Sequence, residues 1–94
     1  MRPPRRFELT PRLSRRLWDG ECVLYDDLSG DTHHLEPLTA AALLMFDERP
    51  LSIEELAERM ADVLEVEGDE ELLQWCQRSI FRFRLKNIVS EVEI

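Results

Sequence analysis

Turn residues divide positions 15–35 into three short runs that contain apolar side chains, and this pattern predicts three short strands. Two of them, residues 15–18 and Glu21–Asp26, flank Asp19-Gly20, a dipeptide that tolerates the positive φ of a tight hairpin turn. A turn at residues 28–31 precedes the third strand, Thr32–Leu35. The pattern predicts an antiparallel meander, which needs a helical cover because three short strands are marginal alone.

Further along the chain the spacing of apolar residues becomes that of helices. Residues 37–46 are apolar nearly all round, so we expect the first helix at the centre of the fold. Ser52 and Glu55 have the spacing of a capping box, which opens a second helix that runs to about Leu64. Apolar and polar residues alternate over residues 88–94 and predict a short final strand.

A third helix is predicted from Glu70 to about Lys86, with Asp69 as its N-cap and Asn87 as a left-handed residue at its end. Five apolar residues gather on one side and predict its core stripe: Leu72, Leu73, Cys76, Ile80 and Phe83. The opposite side carries a basic stripe of Trp75, Arg78, Arg82 and Lys86, next to a smaller apolar ridge of Phe81 and Leu85.

These elements predict one α+β domain of winged-helix-like organisation, in which a three-stranded antiparallel N-terminal meander is followed by three helices. Residues 1–14 carry three of the five prolines, which remove backbone donors and fix φ. We therefore expect residues 1–14 to form a flexible basic arm and residues 15–94 to form the folded domain.

Charge is divided unevenly along the chain, whose formal net charge is -8. Residues 1–16 hold six arginines against one acid, a net charge of +5. The other 78 residues hold six basic and 19 acidic groups, a net charge of -13. Because a strongly acidic body repels the phosphate backbone, nucleic acid is not an expected partner.

The cysteines and the apolar runs bear on where the protein works. Cys22 and Cys76 form no CxxC motif, so we expect reduced, buried thiols and neither a zinc site nor a disulfide framework. No apolar run approaches the length of a membrane span, and the arginine-rich start lacks the apolar segment of a secretory signal. These features predict a cytoplasmic protein with no membrane partner.

Residue types that could support catalysis occur, but not in catalytic patterns. His33 and His34 are neighbours on a strand, so their side chains point to opposite faces and do not readily share one metal ion. The acidic loop of residues 26–31 lacks the pattern of a calcium-binding loop, and no nucleophile turn or phosphate-binding glycine loop is present. We expect a protein that is not an enzyme and that holds neither a metal nor another cofactor.

Two features indicate binding to a peptide or protein instead. The third strand is short and has one clear partner in the sequence, so its free edge is a place where an incoming extended peptide would pair. An exposed tryptophan beside arginines is a frequent composition of binding hot spots, which makes the basic stripe a candidate contact surface.

Segments of the opening strands and of the second helix resemble those of a known family. The segments are Leu17-Trp18-Asp19-Gly20-Glu21, Val23-Leu24-Tyr25, Ser29-Gly30-Asp31-Thr32-His33-His34-Leu35 and Leu51-Ser52-Ile53-Glu54-Glu55-Leu56. Over residues 15–90 the chain is similar to PqqD-like proteins, and most similar to the branch called HPr-rel-A system PqqD family peptide chaperones. It departs from many relatives at Asn87, where they have glycine at the end of the third helix.

The resemblance implies a precursor-peptide recognition element, which binds a leader peptide along the third strand and against the third helix. It implies contacts from Asp31, Thr32, His33, His34, Leu35, Trp75, Arg78, Ser79, Arg82 and Lys86, with Phe81 or Leu85 as alternatives on the helix. The implied partners are a precursor or leader peptide and a modifying enzyme or kinase-like protein of the same system. We infer from the basic stripe that an acidic leader would suit this surface.

Two other functions are compatible with the same elements. Open sheet edges and Trp75 would also suit a homodimeric protein-interaction module that carries no peptide. The winged-helix-like arrangement would also suit a DNA-binding regulator, although the acidic body argues against it.

Overall fold

The structure is a computed structural model that describes residues 5–11, 13–19 and 21–92, with only the backbone of Trp18. Its strands are β1 (Phe7–Leu9), β2 (Leu13–Trp18), β3 (Glu21–Asp26), β4 (Thr32–Leu35) and β5 (Val89–Glu91). Its helices are α1 (Pro37–Leu44), α2 (Ile53–Leu64) and α3 (Glu70–Leu85), and a 3-10 turn, Met45–Asp47, follows α1.

The central sheet has the antiparallel order β2-β3-β4 and is followed in the chain by three helices. The predicted α+β class and the order of meander and helices are therefore confirmed. Trp18 pairs with Glu21 across a two-residue hairpin turn, in which Asp19 has a φ of 49°. Gly20, the other predicted turn residue, lies outside the described residues. Strand β2 begins at Leu13, earlier than the predicted residue 15.

The prediction of a flexible arm over residues 1–14 is wrong for the part that the structure describes. Strand β1 pairs antiparallel with β5, with Phe7 opposite Glu91 and Leu9 opposite Val89. Phe7 is only 3% exposed, and its backbone exchanges hydrogen bonds of 2.8 and 3.0 Å with Leu51. Burial of this aromatic ring and the added strand pairing stabilise a segment whose prolines alone suggested disorder. Residues 1–4 and Arg12 lie outside the described residues.

Local capping signals in the sequence correspond to the ends of the helices. The capping box of α2 is complete, since the Ser52 hydroxyl accepts from the Glu55 amide at 3.1 Å and the Glu55 carboxylate accepts from the Ser52 amide at 3.0 Å. The Asp69 carboxylate accepts from the Leu72 amide at 2.8 Å and caps α3. Asn87 has a φ of 58°, which confirms the predicted left-handed residue after α3.

The core lies between one face of the central sheet and the three helices. Cys22 and Leu24 of β3 are buried, whereas Tyr25 between Leu24 and Asp26 is exposed on the outer face. The helices supply the largest part of the core: Ala40, Ala42, Leu43, Leu56, Ala57, Met60, Cys76, Ile80 and Phe83. Within the described residues, no helix has the length and apolar character needed to cross a membrane.

Candidate functional site

The edge of β4 is the first part of the candidate site. Within the described chain, β4 pairs with β3 on one side and with no strand on the other. The Asp26 amide donates to the Asp31 carbonyl at 2.9 Å. Because backbone groups in an antiparallel pair alternate in direction, the carbonyl of Asp31 and the amides and carbonyls of residues 33 and 35 turn toward β3. Those of Thr32 and His34 turn outward, so the free edge offers two donors and two acceptors.

Side chains of β4 divide between the two faces of the sheet. His33 lies opposite the buried Leu24 and is half-buried, whereas His34 lies opposite Val23 and is exposed. The predicted separation of the two histidines is therefore confirmed. Leu35 packs against the core, so the exposed members of the predicted site on this strand are Thr32 and His34, with Asp31 just before them.

The basic stripe of α3 is only partly a surface feature. Arg78, Arg82 and Lys86 are exposed as predicted. Trp75 is half-buried and packs against the core, and Ser79 is only 8% exposed. The prediction that Ser79 is a surface contact residue is therefore not supported by its burial.

The burial of Ser79 follows from its position on the helix. Ser79 is three residues after Cys76 and four residues before Phe83, and both of these side chains belong to the core. Residues at these spacings share one side of a helix, so Ser79 lies at the margin of the core stripe. The three cationic residues Arg78, Arg82 and Lys86 thus remain as the charged helical part of the candidate site.

The apolar ridge of α3 is largely exposed to solvent. Phe81 and Leu85 are 62% and 69% exposed. Together with Gln77, Arg78 and Arg82 they line a shallow groove of about 380 Å³. Their helical spacing had already placed them away from the core stripe, and the structure adds that no described element covers them.

Packing in the domain separates the strand edge from most of the helix. The main packing partner of β4 is β3, whereas α3 packs mainly against α2 and β5. On the β5 side, the guanidinium of Arg84 lies over the Phe7 ring at 5.6 Å from its centroid. A groove shared by β4 and α3 therefore stays a prediction.

From Leu72 onward, the exposed surface of α3 has the opposite charge to the rest of the domain. Residues 72–90 contain no acid, in a chain that holds 20 acidic residues. Among the described residues, Arg78, Arg82 and Lys86 have no ion-pair partner. By contrast, Arg15 pairs with Asp47, and Arg59 pairs with Glu48 at 2.7 Å. The cations of α3 are thus available to an external anionic group.

The two thiols are poorly suited to act as nucleophiles or metal ligands. Cys22 and Cys76 are free and buried, and burial raises the pKa of both, that of Cys76 to about 11. A thiol with a raised pKa stays protonated near neutral pH and is a weak nucleophile and metal ligand. Within the described residues, no group of histidine, cysteine, aspartate and glutamate side chains is arranged to hold a metal ion.

Comparison of the chain with protein-family models, curated protein sequences and solved structures finds no match. Function is therefore inferred from the edge of β4 and the surface of α3.

Proposed function

We propose that this domain is a non-catalytic peptide adaptor that binds an extended segment as an added strand at the edge of β4. One observation carries the proposal: Thr32 and His34 are exposed, and their backbone groups turn away from β3 at an edge with no strand beside it in the described chain. Main-chain hydrogen bonds at such an edge bind a peptide without requiring one sequence, and neighbouring side chains then select among peptides.

Lys86, at the C-terminal end of α3, supplies the selectivity in this proposal. It is exposed and unpaired among the described residues, so an acidic peptide gains attraction that a basic peptide lacks. An exposed ion pair contributes only about 0.2–1 kcal/mol. Backbone pairing at β4 therefore provides most of the affinity, and the charge on α3 favours acidic sequences.

The bound segment in this proposal is a precursor or leader peptide, which the domain presents to a modifying enzyme or a kinase-like protein. The resemblance of residues 17–35 to the opening of PqqD-like proteins supports this assignment. We also propose that the protein works in the cytoplasm, because its two cysteines are free and buried and form no CxxC motif.

Titration of the isotope-labelled domain with synthetic peptides encoded beside its gene tests the proposal. Backbone shifts should concentrate on Thr32, His34 and the residues next to them. The same peptide with alternate backbone nitrogens methylated should not bind, because methylation removes the donors of the new ladder. Equal binding of both peptides would contradict strand addition.

A second function is favoured by the other edge of the sheet. The hairpin pair of Trp18 and Glu21 directs the backbone of Leu17 away from β3, and the Leu17 side chain is 64% exposed. Pairing of two β2 edges would form a homodimer without peptide cargo. Sedimentation of the domain tests it: a dimer that Leu17→Arg dissociates would support this function, and a monomer would argue against it.

A further inference from the structure

The groove on the outward side of α3 lies between two rows of side chains. Gln77, Phe81 and Leu85 follow one another at four-residue spacing, and Arg78 and Arg82 form the neighbouring row at the same spacing. These rows line the shallow groove of about 380 Å³. Rows at this spacing are the ridges of a helix, and the groove between two of them accepts a ridge of another helix.

We propose that this groove is a docking site for an acidic amphipathic helix of a partner protein. An apolar row of the partner lies in the groove against Phe81 and Leu85. Carboxylates on the margin of the same helix pair with Arg78 and Arg82. The inference goes beyond the peptide adaptor and does not rest on it, because the groove belongs to α3 alone and requires no strand edge.

Exposed apolar area indicates that the groove gains from being covered. Phe81 and Leu85 lie one turn apart and are 62% and 69% exposed. Neighbouring apolar side chains of this size, bordered by polar ones, are a typical composition of protein interfaces. An extended strand would cover the two side chains less completely, since its residues alternate in direction whereas a helix presents an i, i+4 row to one side.

The positive charge beside the groove favours a partner helix that is negatively charged. Arg78 and Arg82 border the groove without an ion-pair partner among the described residues, and residues 72–90 contain no acid. The chain as a whole has a net charge of -8, which would repel an acidic helix at long range. Screening limits that repulsion to about 8 Å at physiological salt, so the two nearby arginines dominate once the helix is in contact.

The site gives the domain a second binding surface beside the strand edge. The groove faces away from the core, because Phe81 and Leu85 occupy the side of α3 opposite the buried Cys76, Ile80 and Phe83. A domain with separate strand and helix sites can hold an extended segment at one and a folded partner at the other.

A capped synthetic helix of about 14 residues, with leucine on one face and glutamate elsewhere, is the probe for the test. The control peptide replaces each glutamate with lysine. The acidic helix should shift the backbone resonances of residues 77–85 with a Kd below about 1 mM, and the lysine helix should not. Phe81→Ala with Leu85→Ala should weaken binding about ten-fold, whereas Leu28→Ala, at a loop residue that is 79% exposed, should not.

Failure of this proposal is distinguishable from failure of the peptide adaptor. His34→Pro should leave the acidic helix affinity unchanged, because it alters only the edge of β4. Equal affinity for the two helices, shifts outside α3, or no shift at about 1 mM would overturn the proposal. A dimer of the free domain that Phe81→Ala with Leu85→Ala dissociates would assign the groove to a second copy of the chain, and would overturn it too.

Discussion

The backbone amides of His33 and His34 point in opposite directions, although the two residues are neighbours and chemically alike. His33 pairs with Leu24 at a position where the backbone turns toward β3, whereas His34 turns its amide and carbonyl to the free edge. Loss of the backbone amide at His33 would therefore remove a hydrogen bond of the sheet. Loss of the amide at His34 would remove a donor that is available to a ligand.

Proline substitution separates the two roles. His34→Pro should keep the fold and abolish binding of an extended peptide, because proline is tolerated at an outward edge position but cannot donate. His33→Pro should lower the free energy of unfolding by about 1–3 kcal/mol, because it leaves a ladder partner on β3 unsatisfied. Urea unfolding and peptide titration measure the two effects.

The two proline variants are controls for each other, since both exchange a histidine for a proline in one short strand. A folded His34→Pro variant that binds peptide with unchanged affinity would show that the edge of β4 is not the binding site. Equal destabilisation by the two prolines would contradict the assigned direction of the backbone groups.

Reversal of one charge on α3 tests the selectivity for acidic peptides. Lys86→Glu should reduce the affinity of an acidic peptide by about three- to ten-fold, because it replaces an exposed attraction with a repulsion. The effect should shrink as salt is added. Arg16→Glu is the matched control, since Arg16 is exposed on β2 rather than on α3. An equal loss of affinity in both variants would indicate net charge alone.

Strand β1 should be a structural part of the domain. Phe7→Ala should lower the free energy of unfolding by about 3–5 kcal/mol, because it deletes a buried ring. Glu8→Ala, at the exposed next residue of the same strand, should change it by less than about 0.5 kcal/mol. Urea unfolding of both variants measures the difference. Similar urea midpoints for the two variants would mean that the burial of Phe7 in β1 does not stabilise the fold.

Glu55 should make stability depend on pH in the acidic range. Its hydrogen bond from the Ser52 amide and its pairing with Arg6 at 3.0 Å hold the pKa of this carboxyl below its usual 4.5. A carboxyl whose pKa is lowered on folding stabilises the protein above its unfolded pKa, and this contribution is lost as the pH falls through its folded pKa. Wild type should therefore lose this stabilisation as the pH falls below 4.5 and through the lower pKa of the folded state.

Glu55→Gln should flatten that part of the pH profile, because the amide does not titrate. Glu58→Gln on the same helix is the control, since Glu58 is exposed and has no hydrogen bond or ion pair with a described residue. Thermal unfolding at a series of pH values gives the profiles. If Glu55→Gln kept the acid dependence of wild type, the charge of Glu55 would not contribute to it.

Signals that act over a few residues were sufficient to predict most of the fold. Asp19-Gly20 specifies its hairpin through positive φ, and the Ser52–Glu55 box starts α2 through two short hydrogen bonds. Thr32–Leu35 was bounded correctly because a turn precedes it and Pro37 begins a helix after it.

Long-range pairing was not predictable in the same way. Strand β1 is stabilised by residues more than eighty positions away, such as Glu91 opposite Phe7, and nothing within residues 5–11 indicates that partner. The candidate site shows a similar limit. Helical periodicity placed Arg82 outward correctly, but the half-burial of Trp75 depends on which elements pack beside α3. The direction of each backbone amide on β4 required the register with β3.

Amide hydrogen exchange at β4, measured with and without a bound peptide, tests strand addition most directly. In the free domain the amides of Thr32 and His34 should exchange rapidly, while those of His33 and Leu35 are protected by β3. Addition of a peptide encoded beside the gene should slow exchange at Thr32 and His34 and leave His33 nearly unchanged. Binding that leaves Thr32 and His34 in rapid exchange would rule out strand addition, because the peptide would then be held somewhere other than the edge of β4.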